Sequence, residues 1–128
     1  MNVLGIGVDI VDVPRIAKIV DKDGTVFLDK VFLPGEREYC DRMRKSAPYY
    51  AARWAAKEAV AKAFGTGFGA QISWRDIEVR RKATGEPFIQ LHGQGAELAK
   101  RRGVSEILIS LSHTDLQAVA FVQLLGAT

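Results

Sequence analysis

Hydrophobic and polar positions change period several times along the chain. Residues 3–11 are dense in valine and isoleucine and predict a buried strand. Asp12-Val13-Pro14 then supplies a capping side chain and an early-turn proline. Ile16, Ile19 and Val20 share one stripe, so a helix follows, and Gly24 ends it. Phe32-Leu33-Pro34-Gly35 is a break before a short charged helix over about residues 36–45. Ser46-Ala47-Pro48 opens the central helix, residues 49–64, whose alanines favour helix and let neighbouring backbones come close. Gly65 stops it with a residue that accepts positive φ. Residues 77–80 and 88–92 alternate like half-exposed strands around the turn Thr84-Gly85-Glu86-Pro87, a hairpin pattern. A short helix over residues 96–102 stops at Gly103, and strands 107–112 and 118–125 join through His113-Thr114-Asp115. The uneven mixture predicts the α+β class rather than a doubly wound parallel sheet.

With 128 residues, the expectation is one domain spanning residues 1–128. The 48% hydrophobic and 26% charged residues suit a soluble globular protein. No run approaches the roughly 18 apolar residues of a membrane span. Met1-Asn2-Val3-Leu4-Gly5 has no basic n-region and Asp9 interrupts the apolar run, so a cytoplasmic location is expected. The single cysteine, Cys40, excludes an internal disulfide and reads as a helix thiol rather than a nucleophile. A net charge of +3 allows an acidic partner without demanding one.

Three features bear on chemistry. Asp9 is a carboxylate inside Gly5-Ile6-Gly7-Val8-Asp9-Ile10-Val11; it faces water on the polar side of the strand, or it is buried and needs a partner. Gly5-x-Gly7 lacks the third glycine and the following helix of a dinucleotide loop. Glu58 and Lys62 stand four apart on one helix face, in the order that favours an ion pair. Spacing alone favours a surface pair. If that face is half buried against the first strand, Asp9 and Glu58 make a carboxylate pair suited to Mg²⁺. Gly65-Thr66-Gly67 turns backbone N–H groups outward, and Ser112, His113 and Thr114 gather donors at a strand end; both suit phosphate oxygens.

Together these pieces resemble a known family. Gly7-x-Asp9-x-x-x-x-x-Arg15-Ile16 is similar to the opening signature of the holo-[acyl-carrier-protein] synthases. Trp54-x-x-Lys57-Glu58-Ala59-x-x-Lys62-Ala63-x-Gly65-Thr66-Gly67 looks like their second signature, and Gly85-Glu86-Pro87 and Ser110-Leu111-Ser112-His113 match later elements. The resemblance implies the 4′-phosphopantetheinyl transferase fold, a mostly antiparallel sheet packed with a long central helix and shorter helices. It also implies Mg²⁺-dependent transfer of 4′-phosphopantetheine from coenzyme A to a serine of apo acyl carrier protein, releasing adenosine 3′,5′-bisphosphate, for fatty acid biosynthesis. On that resemblance Asp9 and Glu58 bind the metal, and Lys62 contacts the phosphates and serves catalysis with them. Arg53, Gly65, Thr66, Gly67, Ser112, His113 and Thr114 line the coenzyme A site. Arg15, Lys18 and Lys22 dock the acidic carrier protein, and a homotrimer places active sites between subunits. A basic RNA- or protein-binding module is the competing reading; it leaves Asp9 and Glu58 unexplained and lacks a nucleic-acid motif. A Mg²⁺-dependent nucleotide hydrolase is the enzymatic competitor, but no motif that positions water is present.

Overall fold

The computed structural model describes residues 1–22 and 24–127. In chain order it runs β1 (Asn2–Asp12), α1 (Val13–Asp21), α2 (Thr25–Val31), α3 (Pro34–Asp41), α4 (Ala47–Phe64), a 3₁₀ turn (Trp74–Asp76), β2 (Ile77–Arg81), β3 (Pro87–Leu91), α5 (Gly93–Arg102), β4 (Val104–His113) and β5 (Gln117–Gly126). The strands form an antiparallel sheet in the order β1-β5-β4 and a separate antiparallel pair, β2-β3. The expected α+β class and antiparallel pairing are both present.

Helix α4 is buried nearly all round, which explains why its apolar residues form no single stripe. One side of it packs on the inner face of the larger sheet, where Val11, Ala118, Ala120 and Val122 are all buried. Other sides meet α1 and β2. The approach of β1 to α4 is set by glycine. A Cβ on Gly5 would stand 2.2 Å from the Ala63 carbonyl oxygen, and one on Gly7 would stand 2.0 Å from that of Ala59. Neither position admits a side chain, so Gly5-x-Gly7 is a contact surface for the helix.

Alternation along β1 is the inverse of an ordinary half-buried strand. Ile6, Val8 and Ile10 face outward, exposed by 61%, 55% and 62%, whereas Gly7, Asp9 and Val11 alternate with them toward α4. Asp9 therefore does not lie on a water-facing polar side of the strand.

Helix α2 was absent from the sequence prediction. It is only seven residues long and is held by the burial of Leu28 and Val31. Helix α3 begins at Pro34, inside the predicted break, because proline is tolerated in a first turn. Cys40 on that helix is fully buried, and burial pushes its thiol up to about 12, which removes it as a nucleophile.

Candidate active site

The close seat of β1 on α4 brings three of the sequence-selected residues together. Asp9 extends from β1, and Glu58 and Lys62 extend from consecutive turns of α4. The ion pair expected between Glu58 and Lys62 is not the direct one. Lys62 Nζ donates to Asp9 Oδ1 at 2.9 Å and to the Val8 carbonyl at 3.2 Å. Its hydrogen bond to Asp9 raises the ammonium pKa, so Lys62 is a firmly held cation. Glu58 is half-buried beside this pair. Burial raises its carboxyl pKa and the Asp9 charge raises it further, while Lys62 and Arg15 oppose both. Arg15, in the first turn of α1, thus adds its charge to the cluster as well as to the exposed face of that helix.

A half-buried Glu58 carboxyl beside the Asp9 charge fits a hard divalent cation. Mg²⁺ takes one or two carboxylates and completes its shell with water and phosphate oxygens. No group of three or more His, Cys, Asp or Glu side chains suited to a metal occurs among the described residues. Asp9 and Glu58 are thus a pair of carboxylates that could hold such an ion only together with ligands from elsewhere.

Lys57, adjacent to Glu58 in the same signature, points the other way. It is fully buried, donates to Glu36 Oε1 at 2.8 Å and to the Trp74 carbonyl at 3.1 Å, and also bonds the Ile77 carbonyl. Glu36 in turn accepts the N–H groups of Leu33 at 2.9 Å and Val79 at 2.8 Å. Burial lowers the Lys57 pKa and the Glu36 charge opposes that shift. This network ties α3, α4 and β2 together. Nothing in the local sequence pairs residues 21 positions apart.

Arg53 lies on a different side of α4 from Glu58, because a separation of five residues corresponds to a rotation of roughly 140°. It is buried at 1% exposure, with its guanidinium 4.1 Å over the Tyr39 ring and Nη1 donating to the Tyr49 carbonyl at 3.3 Å. Its Nε has no hydrogen-bond partner among the described residues. Arg42 and Arg81 approach the same ring, at 5.9 and 5.3 Å. These residues line a cleft of about 620 Å³ whose rim includes Gly85 of the Gly85-Glu86-Pro87 turn. Such an excess of guanidinium suits an anionic ligand.

The loop residues and the strand-end donors do not meet within one chain. The His113 ring sits 5.3 Å from Tyr49, at the start of α4, while Gly65, Thr66 and Gly67 follow its end. Sixteen helical residues between them make about 24 Å. His113 lines a cleft with Arg44 and Lys45, a basic pair. Ser112 is exposed nearby. The Thr114 hydroxyl accepts the Leu116 and Gln117 N–H groups at 3.2 and 3.1 Å, so it braces its own turn.

Comparison with known proteins places this geometry in a class of transferases. Residues 5–122 match the model of the 4′-phosphopantetheinyl transferase superfamily. Holo-[acyl-carrier-protein] synthase from Syntrophus aciditrophicus is 45% identical over 122 residues, covering 95% of each chain. The corresponding protein of Desulforudis audaxviator is 46% identical over 124 residues, covering 97% of this chain and 94% of its own. Among solved structures, the Neisseria meningitidis synthase superposes with a TM-score of 0.88 at 33% identity, covering 96% of this chain and 98% of its own. The Bacillus anthracis synthase, solved in complex with CoA (3′,5′-ADP), gives 0.81 at 33% identity and covers 98% of both. This chain belongs to the holo-[acyl-carrier-protein] synthase family of that superfamily. Its reaction is the transfer of phosphopantetheine from coenzyme A to apo acyl carrier protein, giving the holo form, a step of fatty acid biosynthesis.

Proposed function

We propose that Asp9, Glu58 and Lys62 form the phosphoryl-transfer centre, with Mg²⁺ held by the two carboxylates. The observation that carries this is the packing of β1 on α4, which sets Asp9 against Lys62 and raises the Glu58 pKa. Bound there, the ion supplies charge neutralisation for the coenzyme A pyrophosphate. Lys62, charged and half exposed, donates to a phosphate oxygen as negative charge develops on the leaving group. The serine hydroxyl of the carrier gives up its proton to solvent as its oxygen forms a bond to the phosphorus that bears pantetheine. The bond from that phosphorus to the departing adenosine 3′,5′-bisphosphate breaks.

Coenzyme A runs from this centre to a nucleotide end. The buried Arg53, with one unpaired N–H, favours a phosphate in the Tyr39 cleft. Gly65, Thr66 and Gly67, which follow Lys62 at the end of α4, line the ligand's path beside this centre. Ser112, His113 and Thr114 reach the ligand from a second copy of the chain, since one copy holds them at the far end of α4. The outward face of the sheet supports this assembly: Ile6, Val8, Ile10, Leu108 and Phe121 are exposed on it. A homotrimer with its active sites between subunits is the arrangement we propose. Arg15, Lys18 and Lys22, all exposed on or just after α1, give the acidic carrier a basic docking edge.

The test is the intact mass of apo acyl carrier protein incubated with this protein and coenzyme A, with Mg²⁺ or after chelation. The carrier gains one phosphopantetheine group with Mg²⁺ and none after chelation. Modification that persists after chelation overturns the metal assignment. No modification with any divalent ion overturns the activity.

A further inference from the structure

The loop that leaves α4 turns away directly above Lys62. The Gly65 N–H bonds both the Ala61 and Lys62 carbonyls at 3.0 Å, and Arg102 Nη1 bonds the Phe64 carbonyl at 3.1 Å. The start of the loop is therefore fixed. Its crown is not held in the same way. Gly65 and Gly67 adopt φ of 77° and 63°, and a Cβ on Gly65, Gly67 or Gly69 would meet nothing within 4 Å. The hydrogen bonds of the crown are internal, from Thr66 Oγ1 to the Gly67 carbonyl and from the Gly69 N–H to the Ile72 carbonyl, each at 2.9 Å.

One side chain of the crown packs on the body of the protein. The Phe68 ring stacks on Trp74 with centroids 3.7 Å apart and planes inclined by 14°. Trp74 lies 4.6 Å from Trp54 of α4, and Trp54 stacks on Phe27 of α2 at 5.0 Å and 16°. Four rings thus run from α2 across α4 to the loop. All four are partly buried against the core rather than within it. A loop rich in left-handed glycine, with open space around its glycines, has many competing conformations. Stacking of Phe68 selects one.

We propose that Phe68 is a positioning residue for coenzyme A. Its ring, latched on Trp74, fixes the conformation of the Thr66-Gly67 turn, which leaves α4 just after Lys62. This rests on the coenzyme A reading of that loop, in which the turn lines the ligand. Without the ring the loop spends less time in the binding-competent form, and apparent affinity falls by the same fraction. The strength of one aromatic pair corresponds to about tenfold.

The molecule contains its own reporter. Both of its tryptophans, Trp54 and Trp74, are in the ring stack, so their emission follows the latch. The experiment compares wild type with Phe68→Ala, Phe68→Leu and Phe68→Tyr. It measures tryptophan emission, coenzyme A affinity by fluorescence titration, and steady-state kinetics with coenzyme A and apo carrier varied separately. Phe68→Ala shifts the emission to the red and weakens coenzyme A binding and its KM about tenfold, while kcat and the KM for carrier hold. Phe68→Leu falls between, and Phe68→Tyr restores wild-type behaviour. Red-shifted emission with unchanged coenzyme A affinity overturns the proposal, as does unchanged emission. Equal losses in all three variants, Phe68→Tyr included, also overturn it. A wild-type protein that binds coenzyme A but transfers nothing fails the transferase reading alone, and the titration still decides the latch.

Discussion

Two lysines on α4, five positions apart, each meet a carboxylate, and they serve opposite ends. Lys57 and Glu36 are both fully buried, and each atom able to bond has a partner: Lys57 also reaches two carbonyls, and Glu36 takes two backbone N–H groups. Lys62 is 53% exposed, and its partner Asp9 stands beside a second carboxylate whose pKa is raised. The first pair is saturated and holds three elements in place. The second is open, crowded with like charge on one side and accessible on the other. An ion pair with nothing left to bond is structure, whereas one with unspent acceptors beside a second carboxylate is a place for a ligand.

Breaking the saturated pair gives the largest change in stability. Lys57→Met leaves Glu36 charged and buried, and unfolding by urea shows a loss of about 3–5 kcal/mol. The double variant Glu36→Gln, Lys57→Met removes both charges and recovers part of that loss. If the single variant unfolds at the wild-type denaturant concentration, Lys57 is not the tie described here.

The open pair behaves in the contrary manner. Lys62→Met changes stability by less than about 1 kcal/mol, because the lysine end of the pair is open to water. Its transfer rate falls by about 10²–10³, the scale for removing one donor to developing charge. A loss of stability as large as that of Lys57→Met, with activity retained, reverses the two roles.

The contrast was only half legible in the chain itself. Asp9 stood out because a carboxylate interrupts a run of valine and isoleucine, and Glu58 because it stands four residues before Lys62 on one helix face. Gly5-x-Gly7 reads in the chain only as an incomplete dinucleotide loop, although the alanines of α4 do mark the helix as one that admits close approach. Lys57 could not be assigned in this way. Its partner comes from another helix, and periodicity carries no information about which segments become neighbours. Helix α2 was missed for a related reason. Thr25-Val26-Phe27-Leu28-Asp29-Lys30-Val31 has β-branched residues and no side-chain cap, so its helicity comes from tertiary burial. Gly65, Thr66 and Gly67 were grouped with Ser112, His113 and Thr114 by chemistry, but α4 separates them by its own length. The second copy of the chain proposed above is what would bridge that separation.

The arrangement of Asp9 and Glu58 is tested most directly by the pair of variants Asp9→Asn and Glu58→Gln. Each is assayed by the intact mass of apo acyl carrier protein with coenzyme A and Mg²⁺, beside its own unfolding curve. Glu58→Gln relieves repulsion with Asp9, and Asp9→Asn trades that relief for the ion pair to the exposed Lys62, so each fold stays within about 1 kcal/mol of wild type. Carrier modification is lost in both variants. Modification at the wild-type rate by either variant, with the fold intact, contradicts the account.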